Sequence, residues 1–595
     1  MVVLLVAVVV RAAAVQGMDR DRYAEAGLDQ RVRTIHLPAQ RGSIFDRNGS
    51  DLALSVPQST VWADPTQVRD PAAAAEALAP VLDRDAAGLR RALSTPDREF
   101  VYLARQVDDA TARAVEDLDI PGVSLLDEPK RFYPAGDLAA PVLGIAGIDN
   151  VGLGGLELAY EDVLRGRPGE MVVERDPQGR EISQGVRSRK PAERGQDLVL
   201  TLDQSLQYQA QQVLLQQVDA TEAKGGMAVV ADVRTGAILA MASVDGAPDE
   251  QEGATTDPAG NATRSRPAGH TARNRPVTDV FEPGSTNKVV TISAAIEAGL
   301  VGPSTRFTVP DSIEVAGRTF HDAEEHPVAW WTVSDILRES SNVGTIKIGR
   351  MLGKERLDSA LRSFGFGTRT GVGFPGEAEG ILIDPSRYSG TSMATVPVGN
   401  GLAVTALQML DVYVTLARGG VAVPPRLVEA TIDAEGRRRS TARGEEHRVV
   451  SARTAEAMVG MLTRVVEDGT GRNAAVPGYT VAGKTGTARK APYDHPPYQY
   501  VSSFVGFAPA EAPRLAAIVV LDSPEGLIYG GDVAAPAFSR IMQYALRLEQ
   551  VPPTRPIEGA AATGVPPTEV SGAPAPVAGG RGPAASLTGT TPGTG

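Results

Sequence analysis

The stretch GYTVAGKTGTA at residues 478–488 decides the fold, because its first eight residues fit the phosphate-loop pattern G-x-x-x-x-G-K-[ST]. Read that way, it would be a turn opening a helix in a nucleotide-binding domain. The flanks argue otherwise. Tyr479, Thr480, Val481 and Ala482 favour extended backbone, and Thr485 is followed by Gly486, Thr487, Ala488 and soon Pro492, a poor start for a helix. The stretch reads as one strand running through Lys484.

Around that strand lie 595 residues, enough for two or three domains, each with its own core. The 59 basic and 72 acidic residues leave a net charge of −13, which argues against a broad nucleic-acid surface. No cysteine is present, so disulfides, thiolate nucleophiles and cysteine metal sites are excluded. The six histidines fall at 36, 270, 321, 326, 447 and 495, none at metal-ligand spacing, and no metal or cofactor is expected. A nucleophile in this chain would therefore have to recruit a base other than histidine.

The chain opens MVVLLVAVVVRAAAVQGMD. Even the fifteen residues up to Val15 span only about 22 Å of helix against a hydrocarbon core of about 30 Å. No cleavage site of the A-x-A kind follows. We read residues 1–16 as a shortened single-pass membrane anchor and 17–33 as a charged stalk. Next, Asn48-Gly49 between two apolar-alternating runs predicts a hairpin. Short strands and Ala-rich helices continue to about 190. From there QDLVLTL predicts a strand and Gln204 starts an amphipathic helix capped by Asp203. The hairpin GMAVVADVRTGAILAMAS (226–243) turns at Arg234–Gly236, and its apolar arms read as central strands of a sheet. Residues 244–275 read as a long polar loop, and the Pro/Gly/Ala-rich tail (549–595) as disordered.

The chemistry begins in FEPGSTNKVVTISAAIEAG (281–299). Pro283-Gly284 bends the chain just before Ser285, and the apolar run after it ends at Gly299, a natural helix C-cap. Ser285 thus sits at a helix N-terminus with Lys288 on the same face, Cβ atoms about 5–6 Å apart. The helix is apolar nearly all round and so buried. Burial, the helix N-terminus and a nearby cation all disfavour a charged Lys288. Half-neutrality at pH 7 needs about 4–5 kcal/mol from those sources. A neutral Lys288 could take the Ser285 proton without any histidine. An N-cap serine followed by a snorkelling lysine explains the same residues.

The stretch SDILRESSNVGTIKIG (334–349) supplies the third signal. A helix from Ser334 should end near Glu339, Ser340-Ser341-Asn342 should connect, and a second helical run should start at Thr345. A Ser-Ser-Asn turn alone is only a turn. In order after S-x-x-K at 285 and before K-T-G at 484, it completes a triple found in β-lactamases and penicillin-binding proteins. The sequence therefore resembles a class B, monofunctional penicillin-binding protein. RGSIFDRNG (41–49), RFYPAGDLAAPVLGIAG (131–147) and GLGGLELAYEDVLRGRPG (152–169) are similar to further motifs of that class, and the resemblance runs from about 30 to 548. FEPGST, RESSNVG and VAGKTGTA are most similar to the septal, cell-division members.

That resemblance implies an α+β architecture: an antiparallel sheet flanked by helices, with a buried central helix, forms a transpeptidase domain (195–548) behind a mixed α/β pedestal (34–190). It implies D,D-transpeptidation of peptidoglycan stem peptides. Ser285 attacks the penultimate D-Ala carbonyl of the donor, Lys288 acts as base, and the backbone N–H groups of Ser285 and Thr487 form the oxyanion hole. Ser340 passes a proton to the leaving amine and Asn342 orients the acyl chain. Lys484 supplies the nearby cation, Thr485 and Thr487 hold the terminal carboxylate, and Gly486 lets substrate backbone approach. An amine acceptor from a second strand resolves the acyl-enzyme. β-Lactams acylate Ser285. Partners would be a membrane glycan polymerase and division proteins, at the outer face of the cell membrane. An elongation-type member, or a D,D-carboxypeptidase or β-lactamase, shares the three motifs. YSGTSMATVPVG (388–399) looks like a subtilisin nucleophile stretch, but no histidine is followed by glycine, so Ser392 is structural. Arg41, Asp46 and Arg47 read as inter-domain ion pairs.

Overall fold

The computed structural model describes residues 32–556 apart from 97, 176–180, 247–270, 272 and 494–495, together with residues 2, 5 and 6. Most of the anchor and of the stalk, the centre of the 244–275 loop and nearly all of the tail lie outside the described residues. Among the described residues, no helix is long and apolar enough to cross a membrane.

Five runs of β-prone residues build the sheet that carries the site: β1 (Gly225–Asp232), β2 (Ile238–Asp245), β3 (Ala482–Arg489), β4 (Tyr500–Ala508) and β5 (Leu515–Asp522). Their order is β2-β1-β5-β4-β3, every neighbour antiparallel. The central strand β5 reads LAAIVVLD with all but its last residue buried, the unbroken apolar run of a strand covered on both faces. The helices around it are α1 (Gln204–Ala220), α2 (Lys288–Glu297), α3 (Asn342–Leu352), α4 (Ala406–Ala417) and α5 (Ala535–Leu548). Leu206 and Val213 of α1 share one core with Phe538 and Ile541 of α5. On the other face α4 lies on the sheet, and Val290 and Ile292 of α2 join Leu410 and Val414 of α4. The first eight residues of α2 are all buried, so it is the central helix the apolar run predicts. Asp203 caps α1 through the N–H groups of Ser205 and Leu206 at 2.9 and 3.0 Å.

The chain through Lys484 is β3, an edge strand. The hairpin 226–243 forms as expected, but only β1 is interior; β2 is the opposite edge. Burial gave both arms the same apolar reading, since α1 covers β2 from the side. The second helical run of the Ser-Ser-Asn stretch starts at Asn342, three residues earlier than expected, because Ser341 accepts from Gly344 N (2.9 Å) and caps it there. Strand Val32–Leu37 takes the last two residues read as stalk.

A second sheet runs Arg438–Ser440, Val428–Ile432, Asp197–Leu200, Ile44–Phe45, Asp51–Ala63, Val101–Val107, with Val123–Phe132 also paired to 51–63. Its Ile44–Phe45 strand, the first arm of the Asn48-Gly49 hairpin, pairs in parallel with Asp197–Leu200. The sheet thus crosses the boundary placed near 190. Of the three charges in the first motif, only Arg47 forms an ion pair across that boundary among the described residues, with Glu549 at 2.6 Å. Arg41 stays local and wholly buried, with Glu157 Oε2 and Glu161 Oε2 each at 2.6 Å. Arg131 meets Glu157 Oε1 at 2.7 Å, so the three N-terminal motifs converge on one ion network. Asp46 is a turn residue: it accepts from the N–H groups of Asn48 and Ser50 and, at 3.1 Å, from Gln204 N.

Candidate active site

Ser285 lies in a 3-10 turn, Gly284–Asn287, and α2 begins only at Lys288. Gly284 sits at φ +53°, a left-handed conformation that suits glycine and sharpens the bend. The turn is held from below. Gly284 N donates to Gly399 O (3.0 Å), Asn287 Nδ2 to Val396 O (3.0 Å), Thr291 Oγ1 to Pro397 O (2.8 Å) and Tyr413 OH to Thr286 O (3.1 Å). Thus the segment read as a protease decoy buttresses the turn through residues 396–399. Ser392 itself accepts from Ser389 N at 2.8 Å. Around Ser285 the residues 283, 284 and 286–288 are buried, while Ser285 is half-exposed and its hydroxyl has no hydrogen-bond partner among the described residues.

Lys288 is wholly buried. Burial pushes its amine down to about 7, against the opposing pull of the Asp322 carboxylate. Its Nζ donates to the Ser340 carbonyl and, at 3.3 Å, to the Ser340 hydroxyl. Ser340 presents both oxygens to one amine because its backbone is left-handed, φ +59°. A non-glycine residue there costs about 1–3 kcal/mol. Asn342 is turned differently: its side-chain amide donates to His321 O at 2.9 Å.

Lys484 is also wholly buried, and its amine donates to Thr485 O and Thr485 Oγ1 at 3.1 and 3.0 Å. Burial first, then the neighbouring Lys288, drive it well below the lysine range. The cation expected at Lys484 is thus itself pushed toward the neutral form. The Thr485 and Thr470 hydroxyls are bonded at 2.9 Å, and Thr487 Oγ1 accepts from Gly530 N at 3.0 Å. Gly486 answers to the protein itself: a Cβ there would come 2.5 Å from Ser503 Oγ and 3.0 Å from Pro283 O, so the close approach is by the Ser285 turn.

The structure thus brings Lys288, Ser340 and Lys484 into one buried polar cluster and lays the turn of Ser285 against β3 at Gly486 and Thr487. Sequence reasoning missed Asp322. Its Oδ1 accepts from Asn342 N and from Val343 N (2.9 Å), and its Oδ2 from Ser341 Oγ (2.7 Å). It fixes the corner where Ser340–Asn342 turns into α3. The only trace in the sequence is an aspartate in an irregular segment twenty residues upstream.

Comparison with known proteins fits this geometry. The family description "Penicillin binding protein transpeptidase domain" matches residues 226–543, and "Penicillin-binding Protein dimerisation domain" matches 36–200. The chain is 38% identical over 547 residues to penicillin-binding protein PbpB of Mycobacterium tuberculosis, covering 87% of this chain and 79% of that protein. The chain belongs to the class B penicillin-binding proteins. It is 33% identical over 559 residues to the peptidoglycan D,D-transpeptidase FtsI of Escherichia coli, across 91% of this chain and 89% of FtsI. Among solved structures, penicillin-binding protein 3 of M. tuberculosis complexed with aztreonam superposes with a TM-score of 0.67 at 34% identity, covering 88% of this chain and 99% of that one. The antiparallel sheet with its buried central helix is the transpeptidase fold of this family, and this penicillin-binding protein is a peptidoglycan D,D-transpeptidase.

Proposed function

We propose that this transpeptidase works through an acyl-enzyme on Ser285, with Lys288 as the base. One observation carries the reading: Lys288, whose wholly buried amine is pushed down to about 7, opens α2 directly after the 3-10 turn of Ser285, a half-exposed serine whose hydroxyl has no hydrogen-bond partner among the described residues. Lys288 takes the Ser285 proton as Oγ bonds to the carbonyl carbon of the penultimate D-Ala. Backbone N–H groups of Ser285 and Thr487 stabilise the oxyanion, each worth about 3 kcal/mol. The C–N bond to the terminal D-Ala breaks, and the proton passes from Lys288 through Ser340 to the departing amine. Their hydrogen bond at 3.3 Å supports that path. The acceptor amine then attacks the ester, gives up its proton along the same path and leaves a crosslink. Asn342 orients the acyl chain, and Thr485, Gly486 and Thr487 line the carboxylate side, with Lys484 beneath them.

In this reading β-lactams acylate Ser285, as the aztreonam complex of the related protein supports. Residues 195–548 are the transpeptidase domain and 34–190 a pedestal. Exposed Ile145, Ile148, Leu153 and Leu158 on the pedestal support contact with membrane and division partners, including a glycan polymerase. We place the protein in septal synthesis, anchored by 1–16 with its catalytic part outside the cytoplasm.

Labelling with a fluorescent penicillin tests the chemistry. The wild type should become covalently tagged, and Ser285→Ala and Lys288→Ala should not; persistent tagging of Ser285→Ala removes the reading. Depletion in the source cells tests the setting: filaments support septal work, round cells an elongation role.

A further inference from the structure

His326 stands next to Asp322 in a way that dictates its protonation. Its Nε2 lies 3.0 Å from Asp322 Oδ2 and its Nδ1 lies 2.8 Å from the carbonyl oxygen of Pro327. Both neighbours are acceptors. A neutral imidazole has one N–H and can satisfy only one of them, so the arrangement calls for the imidazolium. The ring is held in place by Trp331, with centroids 4.5 Å apart.

Asp322 is the hub of this arrangement. Its side chain is 6% exposed, and each oxygen takes two donors: Asn342 N and Val343 N on Oδ1, Ser341 Oγ and His326 Nε2 on Oδ2. Three of the four come from the Ser-Ser-Asn corner; the fourth is the only one that brings a charge. The same carboxylate is the group that pulls Lys288 back toward its cationic form.

We propose that His326 is a positioning residue for the reaction: as an imidazolium it completes the donor set of Asp322, locks the Ser340–Asn342 corner and screens Lys288 from the Asp322 charge. The proposal rests on Lys288 being the base. The charged groups facing His326 are Asp322 and Asp311, the latter also 3.8 Å from His321; those facing Lys288 are Asp322 and Lys484. Removing the imidazolium leaves Asp322 uncompensated, favours the Lys288 ammonium and makes the base scarcer at neutral pH.

The test is the pH profile of acylation of the purified protein by a fluorescent penicillin. In His326→Gln the acid limb should move upward by about half a pH unit or more, so labelling at pH 7 falls about twofold or more and recovers near pH 9. His326→Arg, a permanent cation that still donates to Asp322, should return the limb toward the wild-type position. His326→Asn gives the same neutral comparison should glutamine pack badly on Trp331. A neutral variant whose profile superposes on the wild type, or is scaled down equally at every pH, overturns the proposal. That result leaves Ser285 and Lys288 in their roles, which fall only if Ser285→Ala or Lys288→Ala still takes the label.

Discussion

Arg41 and Lys288 are both wholly buried basic side chains, but Arg41 has two carboxylate oxygens at 2.6 Å while Lys288, among the described residues, donates only to the carbonyl and hydroxyl of Ser340. The first arrangement keeps a charge by surrounding it with its opposite. The second withholds that partner, and the lysine amine descends to about 7. One fold therefore uses burial to hold a charge in its N-terminal motifs and to depress an amine beside Ser340. Whether a buried ion has a partner decides which.

Four experiments test this contrast. Lys288→Ala should slow penicillin labelling by about a hundredfold to ten-thousandfold without lowering the unfolding midpoint, because a costly buried amine is removed. A large loss of stability would place Lys288 with Arg41. Glu157→Gln should do the reverse, costing about 3–5 kcal/mol by urea unfolding through two buried arginines left short of charge, with labelling kept within about twofold. An N-terminal region unmoved by that change would mean the network is idle.

The third turns on pH. The Lys288 amine sits near 7 in the folded protein and at the ordinary 10.5 when unfolded, so between these values the unfolded chain binds the extra proton and stability rises with pH. From about pH 7.5 to about pH 9.5 the gain is about 2 kcal/mol in the wild type and absent in Lys288→Met, measured as the difference between their denaturant curves. An equal slope in both would assign the effect elsewhere. The smallest effect belongs to the half-exposed pair Arg47–Glu549. Arg47→Ala should cost at most about 1 kcal/mol, less at high salt, in the same unfolding assay.

Much of the catalytic half was legible because its signals are local. Pro283-Gly284 before an apolar run announces the Ser285 turn and helix α2, and β-prone residues before Lys484 announce a strand. What escaped is made of contacts between distant segments. Asp322 holds the backbone N–H groups at 342 and 343, which leave no side-chain pattern to read. Tyr413 lies among apolar residues of α4, where a phenol reaching the Thr286 carbonyl looks like core. The edge position of β2 was hidden because burial, not pairing, writes the apolar pattern. The fit of Gly486 against Pro283 O is equally invisible, because a sequence cannot show which backbone comes close.

The strand Asp197–Leu200 has one neighbour from the N-terminal hairpin and one from Val428–Ile432, and Thr201 Oγ1 bonds the carbonyls of Ile238 (2.7 Å) and Arg426 (2.9 Å) just beyond it. A tug delivered to the hairpin is therefore borne as shear by a ladder that ends on β2, the far margin of the sheet whose other margin is β3. The N-terminal motifs are thus joined to the sheet that carries β3 by a continuous hydrogen-bonded path.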